Sequence, residues 1–395
     1  MYFKLESPQK EHVMEDSAAV TTTQDPTSTS EPDSKRRKLE LPDPEPVVRL
    51  DGNGDLLLFV GAARVGQAST YLVCSKALSR SSPVMQQMIS GQLAEPRPLQ
   101  GDQGNRFIDL PDDQPVPMRL MLDIMHGDFQ KVPQEMELQT LHALVIVMDK
   151  YDALSLARPW VKAWLASVRG SGDYTRLLSI AWALGDMGLF STMTSRIVET
   201  CTISTDGGDL LTKSNIPANR PLGRNTDPEP HWDLLVDATA PLVPTSVIER
   251  MAVKRAHWIL ATIMPYSRLY DELKRGNCEC RFVSRHFRKT MSPRCRALAL
   301  GSLIQGFLDM EINITTANPT CAYKGSLESL MDRIGKLEIL TDRNCDTYNH
   351  DECARMQEAV KHKRIASTSM TPLTCVEPDY RTHIRSQAKK TGLSG

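Results

Sequence analysis

The stretch Gly54-Asp55-Leu56-Leu57-Leu58-Phe59-Val60-Gly61 decides how the rest of the chain is read. A short apolar run between an acid and a glycine is too brief for an ordinary helix and suits a buried strand. Ala68 to Val73 follows at hairpin distance, and Phe107-Ile108-Asp109-Leu110 offers a further strand. Between and after these runs the period changes. Ser82-Pro83 reads as an N-cap with proline at the first helical position, and Val84, Met88 and Ile89 give that helix an apolar side. Met118, Met121, Leu122 and Met125 fall at i, i+3, i+4 and i+7, and the spacing recurs at Leu141, Leu144, Val145 and Met148. Trp160 and Trp164 stand one turn apart. Strands first and helices afterwards predict an α+β unit over residues 54–169, a small sheet under a helical cluster. Its expected core includes Leu57, Phe59, Leu78, Leu122, Val145 and Trp160.

Beyond Gly170-Ser171-Gly172 the pattern is helical over 172–365. Stripes run through Leu177, Ile180, Ala181 and Leu184, through Leu300, Leu303, Ile304 and Phe307, and through Leu327, Leu330, Met331 and Ile334. Ser246 with Glu249 matches a capping box. Residues 202–230, rich in Gly, Pro, Asn and Asp, read as a long loop, and the polar residues 366–395 as a loose tail. Upstream, the first 50 residues hold six prolines and ten Ser/Thr and read as disordered. Inside them, Lys35-Arg36-Arg37-Lys38 is either a nuclear import signal or a solvated charge cluster.

The chain has 395 residues, which allows two or three globular units. It is 41% apolar, enough for real cores. With 47 basic against 48 acidic residues it lacks the basic excess expected of a nucleic-acid or anionic-membrane binder. No apolar run has the length of a membrane span. The first residues lack the apolar core of a signal peptide, so a nuclear or cytoplasmic location is expected, with the nine cysteines as reduced thiols or metal ligands.

Five blocks in order resemble the BTB/POZ family, in the divergent form abundant in filamentous fungi. They are GDLLLFVG, YLVCSKALSRSSPVMQQMISG, FIDLPDD, MRLMLDIMHGDFQKVP and LVIVMDKYDALSLARPWVKAWL. A weaker likeness continues through WALGDMGLF at Trp182–Phe190 and LGSLI at Leu300–Ile304. The resemblance implies a non-enzymatic protein-interaction module that forms homodimers or recruits other proteins as a scaffold or adaptor. Asp55 matches the family's acid in the first strand, which in many relatives meets a basic residue in a pocket at the dimer centre. Here Cys74, Ser75 and Met85 replace the usual histidine, basic residue and aromatic, and Lys76 is the nearest substitute for the base. Leu93-Ala94-Glu95 resembles the hydrophobic-x-Glu segment by which some members grip a cullin scaffold of a ubiquitin ligase. An ordinary loop is the alternative.

Seven of the nine cysteines lie between 278 and 375. A Cys-x-Cys start and a His-x-x-Cys finish make Cys280, Cys295, His350 and Cys353 a candidate tetrahedral zinc set. Ordinary reduced thiols are the alternative, and spacing does not choose between Cys278 and Cys280. No cofactor other than a structural zinc is expected. Cys74 with His126 or His142 would be a thiol–imidazole pair, but its place in a core block favours a packed thiol. The sequence carries no Gly-rich phosphate loop, HExxH or GxSxG. Basic residues from Arg281 to Arg296, with Phe282 and Phe287 between them, would suit a nucleic-acid contact or a solvated face.

Overall fold

Alternation along Leu56–Val60 sets the architecture. Leu56, Leu58 and Val60 point into one core, and the odd-numbered residues point to the opposite face. In the computed structural model this strand, β2, lies in a four-stranded sheet with β1 (Val48–Arg49), β3 (Ser69–Val73) and β4 (Arg106–Leu110), in the order β1-β3-β2-β4. The β2–β3 pair is an antiparallel hairpin, whereas β4 joins β2, and β1 joins β3, in parallel. The structure describes residues 47–63, 68–91, 106–205, 208–213, 232–276, 279–281, 288–290, 293–316, 323–341 and 378–393.

Helices α1 (Ser75–Ser81) and α2 (Pro83–Ser90) follow the hairpin, and α3 (Pro115–Met125), α4 (Leu138–Lys150) and α5 (Val161–Val168) follow β4. This is the strand-then-helix order expected, and the protein is mixed α+β. The Ser82 cap forms as read, its hydroxyl accepting from the Met85 amide at 3.0 Å. That hydroxyl also donates to the Tyr151 carbonyl at 2.5 Å. The phenol of Tyr151 in turn donates to Asp113 at 2.5 Å, and Lys150 pairs with the same buried carboxylate at 2.6 Å. These bonds fix α2, α4 and the turn before α3 in register without leaving a buried charge unpaired.

Helices α6 (Tyr174–Leu184) and α7 (Met187–Thr200) continue the same core. Beyond them, the stretch read as one loop contributes two strands to a second, three-stranded sheet. It is formed by β5 (Thr202–Ile203), β6 (Leu210–Lys213) and β7 (Trp232–Leu234), antiparallel throughout. Thr202-Ile203 and Leu210-Leu211 are too short for a periodic signal, which is why composition alone hid them. Helices α8 (Leu235–Thr239) and α9 (Thr245–Arg275) follow, then a hairpin of β8 (Glu279–Arg281) and β9 (Arg288–Thr290), then α10 (Pro293–Leu308) and α11 (Leu327–Lys336).

Helix α9 joins two apolar clusters. Its Val247, Ile248 and Met251 belong to the first, and Trp258, Ile263, Tyr266 and Leu273 to the second, built with α10 and α11. Between them sits Arg255, buried, donating to the carbonyls of Cys201 (3.3 Å), Lys324 (3.4 Å) and Gly325. Carbonyl dipoles here take the place of a carboxylate in satisfying a buried cation.

Two boundary readings change. Residues 48–49 are paired, so order begins before Gly54; Val47-Val48 is β-branched and joins the hairpin edge. The tail is not loose throughout, because Pro378–Thr391 forms helix α12, docked on α6 with Ile384 fully buried. The His383 ring stacks on Trp182 with centroids 4.2 Å apart, and the Thr391 hydroxyl donates to the Leu184 carbonyl at 2.7 Å. Gly185, in the left-handed region at φ 89°, admits this approach; a Cβ there would lie 2.2 Å from the Ala388 nitrogen. Few apolar residues mark α12, because its buried face sets Ile384 and Ala388 beside polar Gln387 and Thr391.

Candidate interaction surface

The second face of the sheet carries the most distinctive chemistry near the expected pocket. Leu57 stands opposite Leu72 on β3 and Phe107 on β4. Phe59 and Phe107 meet edge to face with centroids 5.8 Å apart and are half-buried. Leu57 and Leu72 are buried, yet all four residues lie outside both apolar clusters. Phe59 was expected in the core, and strict alternation puts it on the other side. That alternation was available in the sequence, but five apolar residues in succession conceal it.

At the end of this face Asp55 accepts from the Ser75 amide at 2.7 Å and from its hydroxyl at 2.6 Å. The N-cap residue of α1, Cys74, makes no side-chain cap bond. Asp55 therefore supplies that function from the strand and places a negative charge at the helix N-terminus. Burial pushes its carboxyl up, but the Ser75 hydrogen bonds, aided by the positive charge of Arg106, hold it below the ordinary value. Lys76 is exposed and is not the partner. The Asp55–Lys76 pair is corrected: Ser75 takes both carboxylate oxygens, and Lys76 is turned about 100° further round the helix.

Comparisons of the chain with protein-family models, with curated proteins and with solved structures return no match.

Cys74 and His126 are neighbours, but not as an activated thiol pair. The imidazole Nε2 accepts from the Cys74 backbone amide at 3.0 Å, while Nδ1 lies 2.8 Å from the Leu122 carbonyl, to which it donates. The ring's lone pair is thus spent on the backbone and not aimed at the sulfur. His142 lies instead on α4, with Arg176 of α6 and that helix's N-cap, Asp173, nearby. Burial pushes its pKa down to about 4, Arg176 adds to the shift, and Asp173 opposes it. Its buried Nε2 has no hydrogen-bond partner.

Leu93, Glu95, His350, Cys353 and the basic run Lys35–Lys38 lie outside the described residues. Cys295 is fully buried in the second cluster with Ala299, Leu303 and Phe307. Cys280 is in β8, opposite Lys289 of β9. Among the described residues, no three His, Cys, Asp or Glu side chains gather as a metal site would need, and no helix is long and apolar enough to cross a membrane.

Proposed function

We propose that this chain is a protein-interaction protein of BTB/POZ type, whose unit over 54–169 associates with other protein chains through the aromatic face of its sheet. The observation that carries the reading is the pair Phe59–Phe107, half-buried and edge to face, on the side of the sheet away from its core. Aromatic side chains give large contact area at small entropic cost and dominate the energetics of interfaces. The order of strands and helices and the antiparallel-plus-parallel sheet are consistent with the resemblance. The acid that relatives use at a dimer centre is here engaged with Ser75, so recognition falls to the aromatic patch beside it.

A photo-crosslinking phenylalanine analogue at position 107 of the full chain tests this in cells. Discrete adducts, from a second copy or from other proteins, are expected, and Phe59→Ser should abolish them. No adduct, or adducts indifferent to Phe59→Ser, overturns the reading.

A second reading, nucleic-acid regulation, draws on the β8–β9 hairpin. Its register sets Arg281 opposite Arg288 along the backbone. If it holds, binding to random-sequence DNA should weaken steeply with salt; salt-independent or undetectable binding removes it.

A further inference from the structure

Helix α12 brings little apolar surface to its seat. Its inward residues Ile384, Gln387, Ala388 and Thr391 fall at i, i+3, i+4 and i+7, one face of a helix, yet two of the four are polar. The Thr391 hydroxyl finds the Leu184 carbonyl. Two other polar atoms find nothing: His383 Nε2 and Gln387 Oε1 are buried with no hydrogen-bond partner among the described residues. Each costs the docked state the hydrogen bonds it would make in water. The ion pair of Lys390 with Asp152, at 3.0 Å, joins two side chains about half exposed and adds little. A free helix of 14 residues is barely stable in water, so α12 is helical because it is seated.

The seat itself is shaped for a helix. Trp182 offers its ring to His383 by stacking and to Tyr380 edge to face, with centroids 5.8 Å apart in the second pair. A Cβ on Gly185 would lie 2.7 Å from the Ile384 carbonyl oxygen as well as against Ala388, so the backbone of α12 crosses the end of α6 directly. The turn Leu154–Ala157 and α7 close the two sides.

We propose that this groove is a helix-binding site that the chain fills with its own C-terminal helix, and that α12 is a latch which opens while α6 stays folded. Opening bares Trp182, Gly185 and the Leu184 carbonyl together. The helix that displaces α12 carries its pattern: a ring for Trp182, then isoleucine, alanine and threonine at the spacing of 384, 388 and 391, with a basic end toward Asp152.

Hydrogen–deuterium exchange of the full chain tests the opening. The amides of α12 should be roughly tenfold or more less protected than those of α6, because local opening reaches them. Gln387→Leu removes an unpaired buried atom and should slow α12 exchange roughly fivefold or more, and Gly185→Ala should speed it. Anisotropy of a fluorescein-labelled peptide of residues 378–395 tests the groove. The parent chain should bind it poorly, since its own α12 competes. Ile384→Asp in the chain releases α12 and should tighten peptide binding roughly tenfold or more. Ala388→Arg, a second releasing variant, should act alike, and adding Gly185→Ala to either should abolish the binding. Phe59→Ser should change neither readout, which keeps the groove separate from the sheet face. Amides of α12 that exchange only in step with α6, peptide binding equal in the parent and both releasing variants, or binding indifferent to Gly185→Ala overturns the proposal.

Discussion

The two faces of the four-stranded sheet both carry large apolar residues, but only one of them joins an apolar cluster. Leu56, Leu58 and Val60 project into a core shared with α2, α3 and α4. Leu57, Phe59, Leu72 and Phe107 project the other way and join neither cluster. A strand with one covered face ordinarily alternates apolar with polar residues. Here the second face also carries large apolar residues, with Thr70 and exposed Asp109 beside Phe59 in the neighbouring strands, and the proposed function makes its two aromatics the contact with another chain. Along β2, residue type therefore does not tell which side chain joins the core; alternate position along the strand does.

Substitutions at adjacent positions give the largest expected contrast. Leu58→Ala should cost about 2–5 kcal/mol, since Leu58 is fully buried and leaves a cavity. Phe59→Ala should cost roughly 1–2 kcal/mol, the loss of an edge-to-face pair and partial burial. Denaturant titration of both variants checks this, and equal losses would mean that the second face is core. Leu122→Ala, on the α3 stripe, should behave like Leu58→Ala.

Acid should act on the core side next. His142 packs against α6 with its folded-state pKa lowered to about 4. A lowered imidazole contributes stability above its unfolded value, about 6.5, and that contribution is lost as pH falls toward 4. The loss should be on the order of 3 kcal/mol, and His142→Gln should flatten the stability profile over that window. An unchanged profile would show that the imidazole is solvated.

The smallest effect belongs to the rim of the second face. Asp55→Ala should cost about 1 kcal/mol, the usual value of a helix-capping acceptor. Because its carboxyl is held below the ordinary value, the contribution is present above about pH 4 and lost as pH falls further. Replacing Lys76 by Ala should leave stability nearly unchanged, the reverse of what an Asp55–Lys76 pocket would give.

Much of the first unit was legible because its signals are local. The helical stripe at Leu141, Leu144, Val145 and Met148, the Ser82 cap and the five-residue strand each appear within one turn or one strand of sequence. The site was less legible, because it depends on pairings between distant residues. Ser75 answers Asp55 from 20 positions away, and His126 answers the Cys74 backbone from 52. Helix α12 was missed for a related reason. Its seat is Trp182 and the Gly185 gap, both far upstream, and its own mostly polar sequence gives no stripe. The two-residue strand β5 lies below the length at which periodicity carries information.

The central claim is that the Phe59–Phe107 face binds protein while the Leu58 face holds the fold. The most direct measurement is the affinity of the full chain for whatever species crosslinks at position 107, compared between the parent and Phe59→Ala at matched, fully folded conditions. The account predicts a weakening of roughly tenfold or more, the usual size for an aromatic anchor, with the cooperative unfolding transition retained. An unchanged affinity in a folded Phe59→Ala chain would contradict it.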